Sequence, residues 1–320
     1  MQLSEQWYHG RGWLWCLWPL SVLFRGLVWA RRGLYRLGWL KAEKLPVPVI
    51  IVGNISVGGT GKTPLVVWLA AHLRQHGFHP GLVSRGYGGD TRDREHVVYP
   101  DADPRIVGDE ALLLVRRSGC PMVVGADRVA AAKALLAQYT VDVIIADDGL
   151  QHYRLHRDVE IAVLDGYRRL GNGWCLPAGP LREPATRLGE VDFVVVNGVA
   201  GEGEWSMRLQ AGQLVSMWHD ECQSLLDWRG RRVHAVAGIG HPQRFFDFLT
   251  AHGLSVIPHA YADHHPYRDA ELDFADELPV LMTEKDAVKY AAYAGPTHWY
   301  LAVDVQLPDD FGMALLSKLR

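Results

Sequence analysis

Lys62 and Thr63 are the residues whose types and placement most directly imply chemistry in this chain. They close the segment Gly53-Asn-Ile-Ser-Val-Gly-Gly-Thr-Gly-Lys-Thr63, which follows the apolar, β-branched run Val47-Pro-Val-Ile-Ile-Val52 and opens an amphipathic stretch. That order predicts strand, phosphate loop and helix. Glycines in the loop let backbone N–H groups turn inward around an anion, and the helix N-terminus adds partial positive charge. Lys62 is expected to reach the β- and γ-phosphates of a nucleotide, and the Thr63 hydroxyl to ligand Mg²⁺. Gly58, Gly59, Thr60, Gly61, Lys62, Thr63 and Pro64 form the expected nucleotide-binding segment. The general phosphate-loop pattern has glycine where this chain has Ser56.

Further chemistry-bearing groups are spread along the chain. Asp147 and Asp148 end the apolar run Val141-Asp-Val-Ile-Ile-Ala146. A carboxylate at such a strand end holds Mg²⁺ beside the loop threonine in phosphate-loop enzymes, and either aspartate suits that role. Asp109, in Gly108-Asp-Glu110, reads from spacing alone as a helix N-cap. Asp263-His264-His265, bounded by Pro266, is a carboxylate–imidazole cluster able to share a proton. No cysteine accompanies it, which disfavours zinc. Pro177-Ala-Gly-Pro-Leu-Arg-Glu-Pro184 is stiffened by proline. Its Arg182 could balance phosphate charge and its Glu183 could add a metal ligand, unless the segment is simply a rigid turn. Thr283-Glu-Lys-Asp286 reads either as a helix cap with local ion pairs or as a contact to the nucleotide base or ribose.

The elements that must position these groups alternate. Helices are predicted over 64–77, 109–117, 128–138 and 242–252, and strands over 81–85, 122–124, 141–148, 160–165, 192–197, 233–237 and 278–282. This argues for an α/β fold: a phosphate-loop-type, doubly wound, largely parallel sheet with ligands at the strand C-termini. A smaller C-terminal α/β lobe is expected to follow, giving units over 1–45, 46–225 and 226–320.

The first of those units is different in kind. Six of the twelve tryptophans (Trp7, Trp13, Trp15, Trp18, Trp29 and Trp39) lie in the first 40 residues, with Arg25, Arg32 and Arg36 sharing one helical face. The uncharged run from Gly12 to Phe24 is 13 residues long, short of the roughly 20 needed to span a bilayer. An amphipathic helix lying on a membrane surface is expected, since arginine suits anionic headgroups and indole their boundary. Across the 320 residues, 48% hydrophobic and 22% charged content fits an ordinary folded core. The net charge of −3 gives no general attraction to nucleic acid, and the four scattered cysteines suit free thiols in a reducing compartment. No secretory signal and no obligatory protein partner are evident.

Taken together the motifs resemble the tetraacyldisaccharide 4′-kinase (lipid A 4′-kinase) family over nearly the whole chain. The resemblance rests on Gly53 to Pro64, Ser84-Arg-Gly-Tyr-Gly88, Gly108-Asp-Glu110, Asp147-Asp-Gly-Leu-Gln-His152, Pro177 to Glu183, Asp263-His-His265 and Thr283-Glu-Lys-Asp-Ala-Val-Lys289. Ser56 is normal for that family. The resemblance implies ATP- and Mg²⁺-dependent phosphorylation of the 4′-hydroxyl of a tetraacylated glucosamine disaccharide 1-phosphate at the cytoplasmic face of the bacterial inner membrane. It also implies that Asp109 is the base, assisted by His264, with Asp263 and Lys62 in the catalytic set. A membrane-associated partitioning-type ATPase switch is the second reading. Its loop carries lysine where this chain has Val57, and it lacks the Asp-His-His lobe.

Overall fold

The computed structural model describes residues 6–8, 12–91, 94–219 and 221–319. The segment leading into the phosphate loop forms β1 (Val49–Gly53), with every residue buried. It reads as a continuous apolar run because helices cover both faces of the sheet. β1 lies between β5 (Val143–Asp147) and β6 (Val159–Asp165), parallel to both. β2 (Pro80–Ser84) and β4 (Met122–Val124) extend the parallel order beyond β5, and β7 (Phe193–Asn197) extends it beyond β6. The short strand β3 (His96–Val97) adds an antiparallel edge beside β4. On one face α2 (Lys62–Gln75) packs with α3 (Asp109–Ser118), and on the other lies α4 (Arg128–Gln138), numbered after the N-terminal helix α1 (Trp18–Arg36). This is the doubly wound arrangement expected, with every loop of chemical interest at the C-terminal ends of parallel strands.

A long strand missed in the sequence joins the two halves. β8 (Trp205–Ser216) pairs in parallel with β7 through Trp205–Met207 and antiparallel with β13 (His298–Gln306) through the rest of its length. β9 (Cys222–Ser224) pairs on its side. Beyond β13 the order runs β12 (Val280–Thr283), β10 (Arg232–Ala237), β11 (Ser255–Ala260), all parallel. Among the described residues the thirteen strands therefore form one sheet. The second half is covered by α5 (Pro242–Ala251) and α6 (Glu284–Tyr290). The last helix, α7 (Asp309–Leu319), returns to the first half: Phe311 and Leu315 join the cluster of Leu65, Leu69 and Phe193. The lobe expected over 226–320 is thus not closed in sequence.

α1 (Trp18–Arg36) lies along the core on a stripe of Ser21, Phe24, Val28, Arg32 and Tyr35, while Trp18, Leu23, Leu27 and Trp29 are exposed. Ser21 Oγ donates to the Cys175 carbonyl at 2.7 Å and accepts from the Ala178 amide at 2.9 Å. One expectation needs correction here. Arg32 does not share a free face with Arg25 and Arg36, because it turns inward, buried, to pair with Glu190. The four cysteines are unpaired.

Phe311 is fully buried, with ring centroids of Trp68, Phe193 and Trp205 at 5.7, 5.4 and 5.5 Å. Phe311→Ala should therefore lower unfolding free energy by about 3–5 kcal/mol, as a buried aromatic truncation does. Urea denaturation measures it; a loss below about 1 kcal/mol would mean that α7 is not part of the core.

Candidate active site

The phosphate loop curls as its glycines dictate. Gly61 has φ +94° and sits against the Asn197 amide; a Cβ there would lie 3.0 Å from Asn197 Nδ2 and 3.1 Å from Met207 Cε. Asn197, at the end of β7, also donates from Nδ2 to the Thr60 carbonyl at 3.4 Å, so a neighbouring strand braces the loop. Lys62 opens α2 and lies 3.4 Å from Asp148 Oδ1. Asp148, in a left-handed conformation with φ +50°, is also met by Arg182 Nη1 at 3.0 Å. Burial raises the Asp148 carboxyl, but Lys62 and Arg182 outweigh it and hold the group below the usual carboxylate range.

Asp147 is the opposite case. It is 2% exposed, its Oδ1 has no hydrogen-bond partner among the described residues, and burial together with nearby Glu110 pushes its carboxyl up to about 7. A buried carboxylate oxygen without a partner is costly unless a cation completes it. Thr60 Oγ1 and Asn54 Oδ1 are likewise buried and without partners. The Asp147 carboxylate oxygen and the Thr63 hydroxyl, both on the cavity wall, are of the donor type that suits a hard divalent ion such as Mg²⁺.

Across the cleft the second half supplies the proton-handling groups. His264 has φ +58°, and its Nδ1 lies 3.0 and 3.2 Å from the Asp109 carboxylate oxygens. Its Nε2 lies 3.3 Å from Lys285 Nζ. An ammonium has no lone pair, so Nε2 accepts, the ring hydrogen sits on Nδ1, and Nδ1 donates to Asp109. Lys285 also donates to Glu110 Oε1 at 3.0 Å and to Asp263 Oδ1 at 3.2 Å. Burial works against the Lys285 charge, but Glu110, Asp109 and Asp263 outweigh it and raise its ammonium above the ordinary lysine range. Asp109 is 5% exposed; burial is overcome by the His264 hydrogen bond and Lys285, which lower its carboxyl. The same hydrogen bond raises the His264 imidazole.

One cavity of about 1450 Å³ is lined among others by Lys62, Thr63, Asp147, Asp148, Arg182 and His264. It is larger than a typical drug-sized pocket of about 300–1,000 Å³, so it has room for two reactants. Arg31 of α1 and the buried Arg128 line it as well, and Arg128 Nε has no partner among the described residues. On the far side stand Ile239, Phe245 and Phe248, and the β13–β8 register shifts between Leu301 and Val303, both at the cavity wall. Bulges commonly re-aim side chains next to a site.

Several expectations are revised by this geometry. Asp109 is not an N-cap: the cap position of α3 is Gly108, with φ +89°, where a Cβ would meet the Tyr87 carbonyl at 2.5 Å. Asp109 does not line the cavity itself but stands behind His264. Glu183 does not face the cleft at all. Successive residues of an extended segment point to opposite sides, so while Arg182 reaches Asp148, Glu183 is 1% exposed and accepts from Gln151 Nε2 at 2.9 Å and Tyr153 Oη at 2.6 Å. Glu183 is buried behind the cavity wall with a hydrogen bond to each oxygen, and this placement does not match the metal ligand expected from the sequence. His265 turns away to Glu271 at 2.7 Å. Thr283 is a cap, accepting from the Asp286 amide at 3.2 Å, and Asp286 accepts from the Gly238 amide at 2.9 Å. Lys285, Glu110 and Arg128 were not singled out in advance. Glu110 and Lys285 stood inside quoted motifs, and only the fold brings them together.

Phosphate loop, strand-end carboxylates and a carboxylate–imidazole pair formed across the cleft define a phosphate-loop kinase. The family model described as tetraacyldisaccharide-1-P 4′-kinase matches residues 13–320. A tetraacyldisaccharide 4′-kinase of Nitrosococcus oceani is 52% identical over 318 residues, covering 99% of this chain and 94% of the relative. Another, of Alkalilimnicola ehrlichii, is 55% identical over 289 residues, covering 90% and 87%. A crystal structure of LpxK from Aquifex aeolicus in complex with ATP superposes with a TM-score of 0.81 at 29% identity, covering 96% of this chain and 99% of that one. The chain belongs to the tetraacyldisaccharide-1-P 4′-kinase family, and the partitioning-switch reading is not favoured.

The His264–Asp109 contact fixes two pH directions. The raised imidazole contributes stability below its unfolded value, near 6.5, and loses it as pH rises through the higher folded value. The lowered carboxyl contributes above its unfolded value and loses it as pH falls through the lower folded one. The pair is therefore most stabilising between the unfolded Asp value and the unfolded imidazole value, and weakens as pH rises from there through the folded imidazole value. In an NMR titration His264 should ionise above the ordinary imidazole range, and Asp109→Asn should lower that value. An unmoved titration would remove the pairing.

Proposed function

We propose that this chain transfers the γ-phosphoryl group of ATP to the 4′-hydroxyl of a tetraacylated glucosamine disaccharide 1-phosphate, working at a membrane surface. The observation that carries the reading is the single cavity in which Lys62 and the phosphate loop face His264, with Arg31 of α1 on the same wall. Lys62 and the loop amides hold the β- and γ-phosphates, and Arg182 adds a second positive charge. Thr63, Asp147 and Asp148 are the residues placed to hold Mg²⁺. When bound, that ion neutralises charge on the transferring phosphates.

The acceptor oxygen attacks the γ-phosphorus, the bond to the β–γ bridging oxygen breaks, and ADP departs. The hydroxyl proton passes to His264 Nε2; that His264 lines the cavity while Asp109 does not supports this order. Asp109 holds the tautomer and stabilises the imidazolium, the logic of a carboxylate behind a histidine base. Lys285 must yield its contact to Nε2 when the hydroxyl arrives; Glu110 and Asp263 keep it nearby. Arg31, Arg85 and Arg128, all on the cavity wall, suit the acceptor's own phosphate.

The helical stretch Gly12–Arg36 is 25 residues long, enough in length to cross a bilayer. Its docked stripe instead supports a helix lying alongside the core with its indole and leucine side chains turned outward to lipid. Such a placement brings the cavity mouth to the cytoplasmic face of the inner membrane, where the acylated acceptor resides.

Assay of the purified protein with ATP and the lipid disaccharide 1-phosphate tests the transfer. Phosphate incorporation should depend on the acceptor, and Lys62→Ala should reduce it on the order of 10²-fold or more. ATP hydrolysis indifferent to acceptor would instead support a switch. For the membrane, flotation with anionic vesicles should fall sharply when residues 1–40 are deleted. Salt alone should release only part of the full chain, since screening acts on arginine but not on buried indole. Equal flotation of both forms would place the contact elsewhere.

A further inference from the structure

The carboxylate that does not serve the metal has another place in the molecule. Glu183 accepts from Gln151 and Tyr153, and its neighbour Arg182 is fixed by a 2.7 Å bond from its amide to the Ile55 carbonyl, at the start of the phosphate loop. Gln151 Nε2 donates a second bond, 3.0 Å, to the Asn54 carbonyl, and the Gln151 side chain lines the cavity. One buried carboxylate thus ties together the loop after β1, the segment after Asp148 and the arginine that meets Asp148. Tyr153 holds that carboxylate by its hydroxyl. Its ring is held from the other side: Tyr35 of α1 packs on it at 5.7 Å, and the Arg31 and Arg157 guanidiniums lie over it at 5.8 and 5.1 Å.

A second strand of contacts runs in parallel. Arg32 and Arg36 of α1 meet Glu190; Arg187 Nη1 lies 3.9 Å from Glu190, and Arg187 Nε lies 3.4 Å from Glu183. Arg187 is 3% exposed and also pairs with Glu160, so its position is fixed from several sides. α1 therefore reaches Glu183 twice, through the Tyr153 ring and through Glu190 and Arg187. Buried polar networks of this kind hold one geometry when fully satisfied and lose it when a member is removed.

We propose that Tyr153 is a positioning residue for phosphoryl transfer: by fixing Glu183 it sets Gln151 and Arg182 against the phosphate loop, and by seating Tyr35 it makes that setting depend on the docking of α1. Tyr153 touches neither nucleotide nor acceptor in this scheme, and acts through Glu183. The inference rests on the reading of the cleft given above, and the two fail separately. A wild-type rate in Lys62→Ala overturns the cleft, whereas the following variants leave Lys62 in place.

Tyr153→Phe keeps the ring and removes the hydroxyl. With saturating lipid acceptor in detergent micelles, kcat should fall about ten- to a hundredfold, the scale of a small misplacement of transferring groups. The KM for ATP should change less than about twofold, and vesicle flotation should be unchanged. A protein loosened only in structure would lose melting temperature and acceptor and nucleotide affinity together, without this split. Tyr35→Ala, at a half-buried position at the end of α1, guards against a misfolded first variant: it should lower kcat in the same direction at an unchanged melting temperature. In the double variant the losses should be non-additive, since the two residues act on one network. Wild-type kcat in Tyr153→Phe overturns the positioning role. Additive losses, or a wild-type rate in Tyr35→Ala, overturn the link to α1.

Discussion

Unbalanced negative charge at the ends of the strands is the constraint on which this structure turns. Asp109, Glu110, Asp147, Asp148 and Asp263 converge on one cleft, in surroundings where a carboxylate without a partner is expensive. Four of them find cations from elsewhere in the chain: Lys62 and Arg182 for Asp148, Lys285 for Glu110 and Asp263, and His264 with Lys285 for Asp109. Those pairs are also what brings the two halves together, because His264 and Lys285 come from the second half and their carboxylates Asp109 and Glu110 from the first. Arg117 on Glu284 and Arg244 on Asp165 join the halves by the same means. Asp147 is the exception: no salt bridge closes on it among the described residues, its Oδ1 has no hydrogen-bond partner, and burial pushes its carboxyl up despite Lys62 and Arg128.

How much of this was legible beforehand follows from the range over which each feature is encoded. The phosphate loop and the Asp147-Asp148 pair are local patterns, and the strands flanking them are unbroken apolar runs. Both were readable. The partnership of His264 with Asp109 is not encoded in spacing: 155 residues separate them, and their union depends on β8 and β13. Those two strands are half-exposed and lack the unbroken apolar runs of the buried ones; the alternation Ser206-Met-Arg-Leu-Gln210 was the local signal that could have revealed β8. Glu183 was misassigned for a simpler reason. Residue type and neighbourhood suggested a ligand, but alternation along an extended backbone decides the side on which a group lies.

The N-terminal helix shows a similar division between composition and placement. Tryptophan and arginine content marked it as a membrane-facing element. Which arginines face outward was decided by the core: Arg32 is committed to Glu190, Arg31 to the cavity and the Tyr153 ring, and Arg25 is left exposed. A helix that donates Arg31 to the cavity is part of the enzyme's working surface.

β8 has a mechanical consequence. Because one continuous strand hydrogen-bonds to β7 at its start and to β13 along the remainder, no slack linker lies between the halves at that point. Any opening of the cleft must be absorbed as added twist along β8 and β13, an elastic deformation of a sheet that resists flattening. α7 reinforces this by crossing back to the first half, so the chain threads the boundary more than once. An excised first half would display β8 as a bare edge, inviting pairing with other chains, and would lack Phe311 from its core. The two halves thus share one sheet and one core cluster, and cutting the chain between them would leave each with an open strand edge and a gap in its packing.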